Sequence, residues 1–294
     1  MTMPSVPIPY EGRDPLHGPP KFVDVGGTSI AYHAVGSGPP LLFLHGWPLN
    51  GRTFRGIVPA LAAHFTCYVL DFPGAGASRT TERTAYDMRS QAESTKVFAE
   101  KLALPSYSIV SHDTGGTIGR QLAIIDAARV EKLVAIGTEI PHHRPPWIRL
   151  FQLVSYLPGA DAGFQANLRS ERFLRSSKGF GGCFSNLDLI GGEFHRLFIQ
   201  PLLDSAELRI GQRRRLRGID WKLLDSLAER HAEIRARVLL LWGGEDSVFP
   251  VPEARKMVPQ FKDARFVTIP NAKLFVHEER AREVAAECLN FLLH

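Results

Sequence analysis

Cysteine is scarce in this sequence: Cys67, Cys183 and Cys288 are its only three among 294 residues. Their odd number and wide, unpatterned spacing exclude a disulfide framework and a cysteine-based zinc site. They read instead as small buried hydrophobes in a reducing compartment. Long apolar runs are missing too. Stretches such as 40–44 and 238–242 are strand-length, far below the roughly 20 residues that a membrane helix needs. Residues 1–20 carry no basic-then-apolar signal. Their many prolines predict a loose leader, and with it a soluble, cytoplasmic protein. No His-Glu-x-x-His pair is present, and Gly74-Ala75-Gly76 lacks a third glycine at the phosphate-binding offset. Neither a metal nor a nucleotide cofactor is implied. The excess of positive charge is modest, at +5. Its one basic run (Arg209, Arg213, Arg214, Arg215 and Arg217) has no interleaved aromatics and reads as a solvated helix face. No nucleic-acid or membrane partner is expected.

What remains is ordinary globular composition, 44% apolar and 22% charged, at a length that suits one large α/β domain. Short apolar runs predict strands at 22–25, 29–34, 41–44, 67–70, 108–111, 133–136, 238–242 and 266–269. Helical spacing covers 85–104, 115–127, 252–259 and 275–293. This alternation predicts a doubly wound, mostly parallel sheet. From 141 to 235 the strands stop, and helix-length pieces broken by glycine and proline follow. The expected organisation is a leader at 1–20, a core at 21–140 and 236–294, and a helical lid at 141–235 over the carboxyl ends of the strands.

The motif richest in chemistry is Ser108-Ile109-Val110-Ser111-His112-Asp113-Thr114-Gly115-Gly116, a strand turning sharply into a helix. Small residues two places before and after Asp113 match a nucleophile elbow, where the tight turn needs them. Here the chain resembles the α/β-hydrolase superfamily. The likeness extends to His45-Gly46-Trp47-Pro48 after the third strand, to the segment 71–78 after the fourth, and to Trp242-Gly243-Gly244-Glu245-Asp246 after a late strand.

An aspartate at the elbow narrows the chemistry. A carboxylate is already ionised near neutral pH and can attack an sp³ carbon without a base, giving an ester that water must then hydrolyse. The resemblance is to the aspartate-nucleophile branch of haloalkane dehalogenases, haloacetate dehalogenases and epoxide hydrolases. It implies an oxyanion site at the backbone N–H groups of Trp47 and Thr114, with His45 supporting that loop. Dehalogenases of the two kinds carry tryptophan or arginines just after the nucleophile. Here stand Thr114 and Thr117, with Arg120 a turn further along. Epoxide hydrolases use lid tyrosines, and Tyr156 is the one candidate in the expected lid. Epoxide hydrolase is favoured by elimination.

Two carboxylates compete to be the orienting acid. Asp246 sits where most of the superfamily places it, and Glu139 follows the strand after the elbow helix. The family's catalytic histidine belongs in the turn before the last helix. That turn reads Asn271-Ala272-Lys273-Leu274-Phe275-Val276-His277, with Leu274 in the histidine's place. Three readings stay open. His277 relocates the base; or Glu139, Asp246 or one of His142, His143 and His195 activates the water; or the ester is never cleared or never forms. The expected function is an epoxide- or alkyl-halide-attacking hydrolase without cofactor, acting on a small apolar organic substrate. Its rival is a non-hydrolytic lyase, cyclase or ligand binder. A homodimer is left open.

Overall fold

Runs that are apolar on both faces become the central strands of one eight-stranded sheet. The computed structural model describes residues 14–294. Its strands are β1 (Lys21–Asp24), β2 (Ser29–Val35), β3 (Pro40–Leu44), β4 (Thr66–Leu70), β5 (Tyr107–His112), β6 (Val130–Ile136), β7 (Arg237–Gly243) and β8 (Ala264–Ile269). They lie in the order β1-β2-β4-β3-β5-β6-β7-β8. Pairing is antiparallel for β1–β2 and β2–β4 and parallel from β4 to β8. All six residues of β5 are buried, as suits a central strand of a parallel sheet covered on both faces.

Register decides which loops meet. Leu44 pairs with Ser111, His112 with Ile136, and Ile136 with Leu241. The turns after β3, β5, β6 and β7 therefore emerge side by side at the carboxyl end of the sheet, where open α/β sheets bind ligands. Between β6 and β7 every described element is helical, including Pro146–Val154, Ala160–Arg169, Ala206–Arg217 and Trp221–Arg230.

Two contacts dock this insert on the sheet. A Cβ on Gly211 would stand 2.5 Å from the Gly74 Cα, so the helix Ala206–Arg217 meets the turn after β4 backbone to backbone. On the other side Phe184 and Phe194 pack against Phe275 at 5.2 and 6.0 Å between ring centroids, while Phe275 N donates to Cys183 O at 3.0 Å. The insert is thus clamped on the turn that carries Leu274.

Three expectations need correction. The loose leader lies outside the described residues as far as residue 13. Asp14 pairs with Arg52 and Leu16 is buried in the core, while His17, Gly18 and Pro19 are exposed. The helix expected at 275–293 is two, Val276–Glu279 and Ala281–Leu293, because Arg280 leaves the helical region at φ −132. The basic run is not a solvated face. Arg209 and Arg215 are buried, Arg209 pairs with Asp161 at 3.1 Å, and only Arg214 of the five is fully exposed.

Candidate active site

Asp113 follows β5 with φ 51 and ψ −128, a backbone conformation that residues other than glycine rarely adopt. Neighbouring glycines make the turn possible. A Cβ on Gly115 would lie 2.1 Å from Leu44 O, and one on Gly46 would lie 2.5 Å from the Asp113 side chain. The Asp113 N–H is held by Ile136 O at 3.2 Å and Gly137 O at 3.1 Å. Its carboxyl then faces two backbone donors. Trp47 N donates to Oδ2 at 2.8 Å, and the Thr114 N–H also points at the group. Two backbone donors beside one carboxyl are the kind of arrangement that can stabilise a developing oxyanion. The His45 ring braces this loop, with Nδ1 on Gly46 O at 2.8 Å and Nε2 accepting from Phe72 N at 2.9 Å.

Asp113 and Glu139 share the floor of a cavity of about 290 Å³. Its walls are mostly aromatic and aliphatic, with Trp147, Phe151, Phe164 and Phe173 from the insert and Phe249 and Phe275 from the core. Burial pushes the Asp113 carboxyl well above the usual range and the Glu139 charge adds to this. The Thr114 and Trp47 N–H groups and Arg215 pull it back. Burial raises Glu139 too, against hydrogen bonds from Thr117 and Thr138. Both carboxyls are thus shifted towards their protonated forms, and the charge of Glu139 makes ionisation of Asp113 harder still.

Asp246 stands apart. It does not line the cavity, and its Oδ1 accepts from Val248 N at 2.8 Å and Phe249 N at 2.9 Å. Its Oδ2 is buried without a partner. Both Oδ2 and the Leu274 Cδ1 approach the point where a Cβ on Gly137 would lie, at 3.8 and 2.9 Å. Gly137 therefore leaves room that Leu274 and Asp246 approach from two sides. Burial lifts this carboxyl to about 7, more than the Phe249 and Val248 N–H groups and Lys273 lower it. An Asp raised on folding stabilises the fold below its unfolded value near 4, and that contribution is lost as pH rises through about 7. Asp246→Asn should therefore gain on the native protein between pH 4 and pH 8, by at most about 4 kcal/mol. Thermal melting of both proteins at the two pH values checks this; equal differences at both would refute it.

A family model described as alpha/beta hydrolase fold matches residues 39–281. The chain belongs to that family. Haloalkane dehalogenase 2 of Mycobacterium tuberculosis is 26% identical over 290 residues, covering 95% of this chain and 93% of that protein. The soluble epoxide hydrolase of Corynebacterium sp. (strain C12) is 33% identical over 109 residues, 37% of this chain and 38% of that protein. Matches to the first curated relatives span only about two fifths of their length, 36% to 42%. Among solved structures, epoxide hydrolase CorEH without ligand superposes with a TM-score of 0.78 at 21% identity, over 93% of this chain and 98% of that one. This last likeness is one of fold.

In this α/β-hydrolase the other expected site residues are scattered. His277 is buried outside the cavity, its Nε2 2.7 Å from Thr53 Oγ1 and its ring 4.2 Å from that of His112. Thr53 gives its own proton to Glu278 Oε1 at 2.8 Å, so His277 is the donor in that pair and its Nδ1 is left without a partner. Burial, His112 and Arg55 all hold it neutral. Tyr156 is 61% exposed, lies under the Arg217 guanidinium at 4.4 Å and does not line the cavity. His142, His143 and His195 do not line it either; among the described residues no histidine does. Of the cysteines, Cys67 and Cys288 are buried, whereas Cys183 lines the cavity.

Two arginines carry more of the site than sequence spacing suggests. Arg215 is buried over the Phe72 ring at 5.5 Å, near enough to Asp113 to favour its charge. Arg120, a turn beyond the elbow, lies behind Glu139. Each becomes visible only once the helices that bury it are in place.

Proposed function

We propose that the protein opens epoxides by attack of the Asp113 carboxylate, with alkyl halides as the second substrate class, and that Glu139 replaces the family histidine. The observation that carries this reading is the pairing of Asp113, its Oδ2 on the Trp47 N–H, with Glu139 on the floor of an apolar cavity. The helical insert serves as the lid that keeps this cavity dry.

One shared proton is enough for a full cycle. Asp113 forms a C–O bond to the epoxide carbon as the ring C–O bond breaks, and the proton on Glu139 passes to the released oxygen. Glu139, now ionised, takes a proton from a water that adds to the ester carbonyl. The Trp47 and Thr114 N–H groups hold the oxyanion. Collapse releases the diol, whose leaving oxygen takes the proton back from Glu139. The hydroxyl delivered by water leaves Asp113 protonated, and the pair again holds one proton. A halide would depart without needing that proton, so the shared proton favours epoxides.

Intact-protein mass spectrometry after incubation with epoxides and alkyl halides tests the reading. An adduct in the native protein that is absent from Asp113→Ala is the expected result. Where turnover is too fast to trap it, turnover in ¹⁸O-water should label the Asp113 carboxyl. Neither signal across a broad panel would sink the proposal in favour of a non-hydrolytic lyase, cyclase or ligand binder. The leucine beside Asp246 is the feature that favours that alternative.

A further inference from the structure

Arg120 projects from the elbow helix Thr114–Ile125 with no exposed surface, and it does not line the cavity. Its Nη2, sharing two protons among three acceptors, donates to Thr117 Oγ1 at 2.9 Å, Thr138 Oγ1 at 3.1 Å and Glu139 O at 2.7 Å, and its Nε donates to Gly116 O at 3.2 Å. A guanidinium has donors only. Both threonine hydroxyls must therefore accept from it, and each keeps one proton to give. Thr117 gives its proton to Glu139 Oε2 at 2.6 Å. Thr138 has Asp113 O at 3.0 Å and the same Oε2 at 3.2 Å. Oε2 thus receives the Thr117 proton, while Thr138 divides its one proton between Asp113 O and Oε2, and Arg120 sets the direction of both hydroxyls. Glu139 lines the cavity, its own backbone N–H also supports the carboxyl, and Oε1 makes no hydrogen bond to another described residue.

We propose that Arg120 is a positioning residue which, through Thr117 and Thr138, keeps Glu139 Oε2 an acceptor and confines the proton moved in catalysis to Oε1. The inference rests on the reading of Glu139 as the acid–base group. It explains how one carboxyl serves both half-reactions without turning: the proton leaves and returns at the same oxygen. The charged and titratable groups around Glu139 fit this role. Asp113 faces it from the elbow and Arg120 from the elbow helix. Beyond Arg120 lies His231, whose Nδ1 is 2.7 Å from Gln260 Oε1 and whose Nε2 is 3.2 Å from the guanidinium. Burial and Arg120 hold that imidazole down to about 3, so it stays neutral and adds no second cation.

A hydroxyl that donates to a carboxylate favours its charged form, so removing the donor raises the pH at which the carboxyl titrates. The test is a ¹³C NMR titration of the Glu139 side-chain carboxyl in the full chain, assigned by its loss in Glu139→Gln. Thr117→Val, close to isosteric, should move the midpoint up by about one pH unit. Arg120→Met should move it at least as far, and Arg120→Lys should restore part of the shift. A midpoint unmoved in folded Thr117→Val overturns the inference, whether or not Arg120→Met folds. A moved midpoint with no adduct from any epoxide in the native protein supports the positioning role and overturns the proposed function. Ester hydrolysis whose acidic limb moves with the midpoint supports both.

Discussion

Leu274→His should speed hydrolysis of the Asp113 ester by about tenfold or more, the margin of a better-placed base over Glu139 within the roughly 10²–10⁴-fold that a general base contributes. The surroundings for such a base are already in place. Leu274 lines the cavity, its backbone carbonyl is held by His112 Nε2 at 3.3 Å, and the next residue is tied to Cys183 O. Behind it waits the unpartnered Oδ2 of Asp246, which would orient an imidazole N–H and stabilise its protonated form. The gain should appear in the release rate of the adduct in single-turnover mass spectrometry and not in its formation, because attack by Asp113 needs no base. An unchanged release rate in a folded variant would mean that the missing histidine does not limit clearance.

Glu139→Gln should do the reverse, slowing ester hydrolysis by about 10²–10⁴-fold and leaving a persistent adduct. The amide keeps the shape of the side chain, but it can neither take a proton from water nor lend one to the opening epoxide. Formation should therefore slow for epoxides and stay close to native for alkyl halides, whose leaving group departs without a proton. That contrast between substrate classes separates a lost acid–base group from a distorted pocket, which would slow both. Equal slowing of the two classes would remove Glu139 from the mechanism.

Those parts of the molecule whose cause is local were legible in the sequence. Strands β3 and β7 are buried on both faces and appear as continuous apolar runs, whereas β5, as deeply buried, carries Ser108 and Ser111 and was legible through the motif that follows it. The elbow is legible because its turn tolerates only small residues at set positions, and the Gly115 and Gly46 contacts show why. The short helices Gly51–Phe54 and Val58–Leu61 escaped notice because neither is long enough to display a period. The cationic half of the site escaped for a different reason. His231 is 111 residues from Arg120, and Asp161 is 48 from Arg209. Five arginines within nine residues look solvated until the helices that cover them are drawn. His277 illustrates the opposite error: three residues from the expected position, it nevertheless turns away to Thr53.

The left-handed backbone at Asp113 sets two requirements against each other. Holding an aspartate there costs about 1–3 kcal/mol that a glycine would not incur. The fold maintains it through the clasp of Ile136 and Gly137 carbonyls on the Asp113 N–H and through two neighbouring glycines that admit no side chain. Selection for thermal robustness alone would drift this position towards glycine. Aspartate there leaves a less stable chain than glycine would, and on the proposed function the strain is what presents the carboxylate at the mouth of the turn.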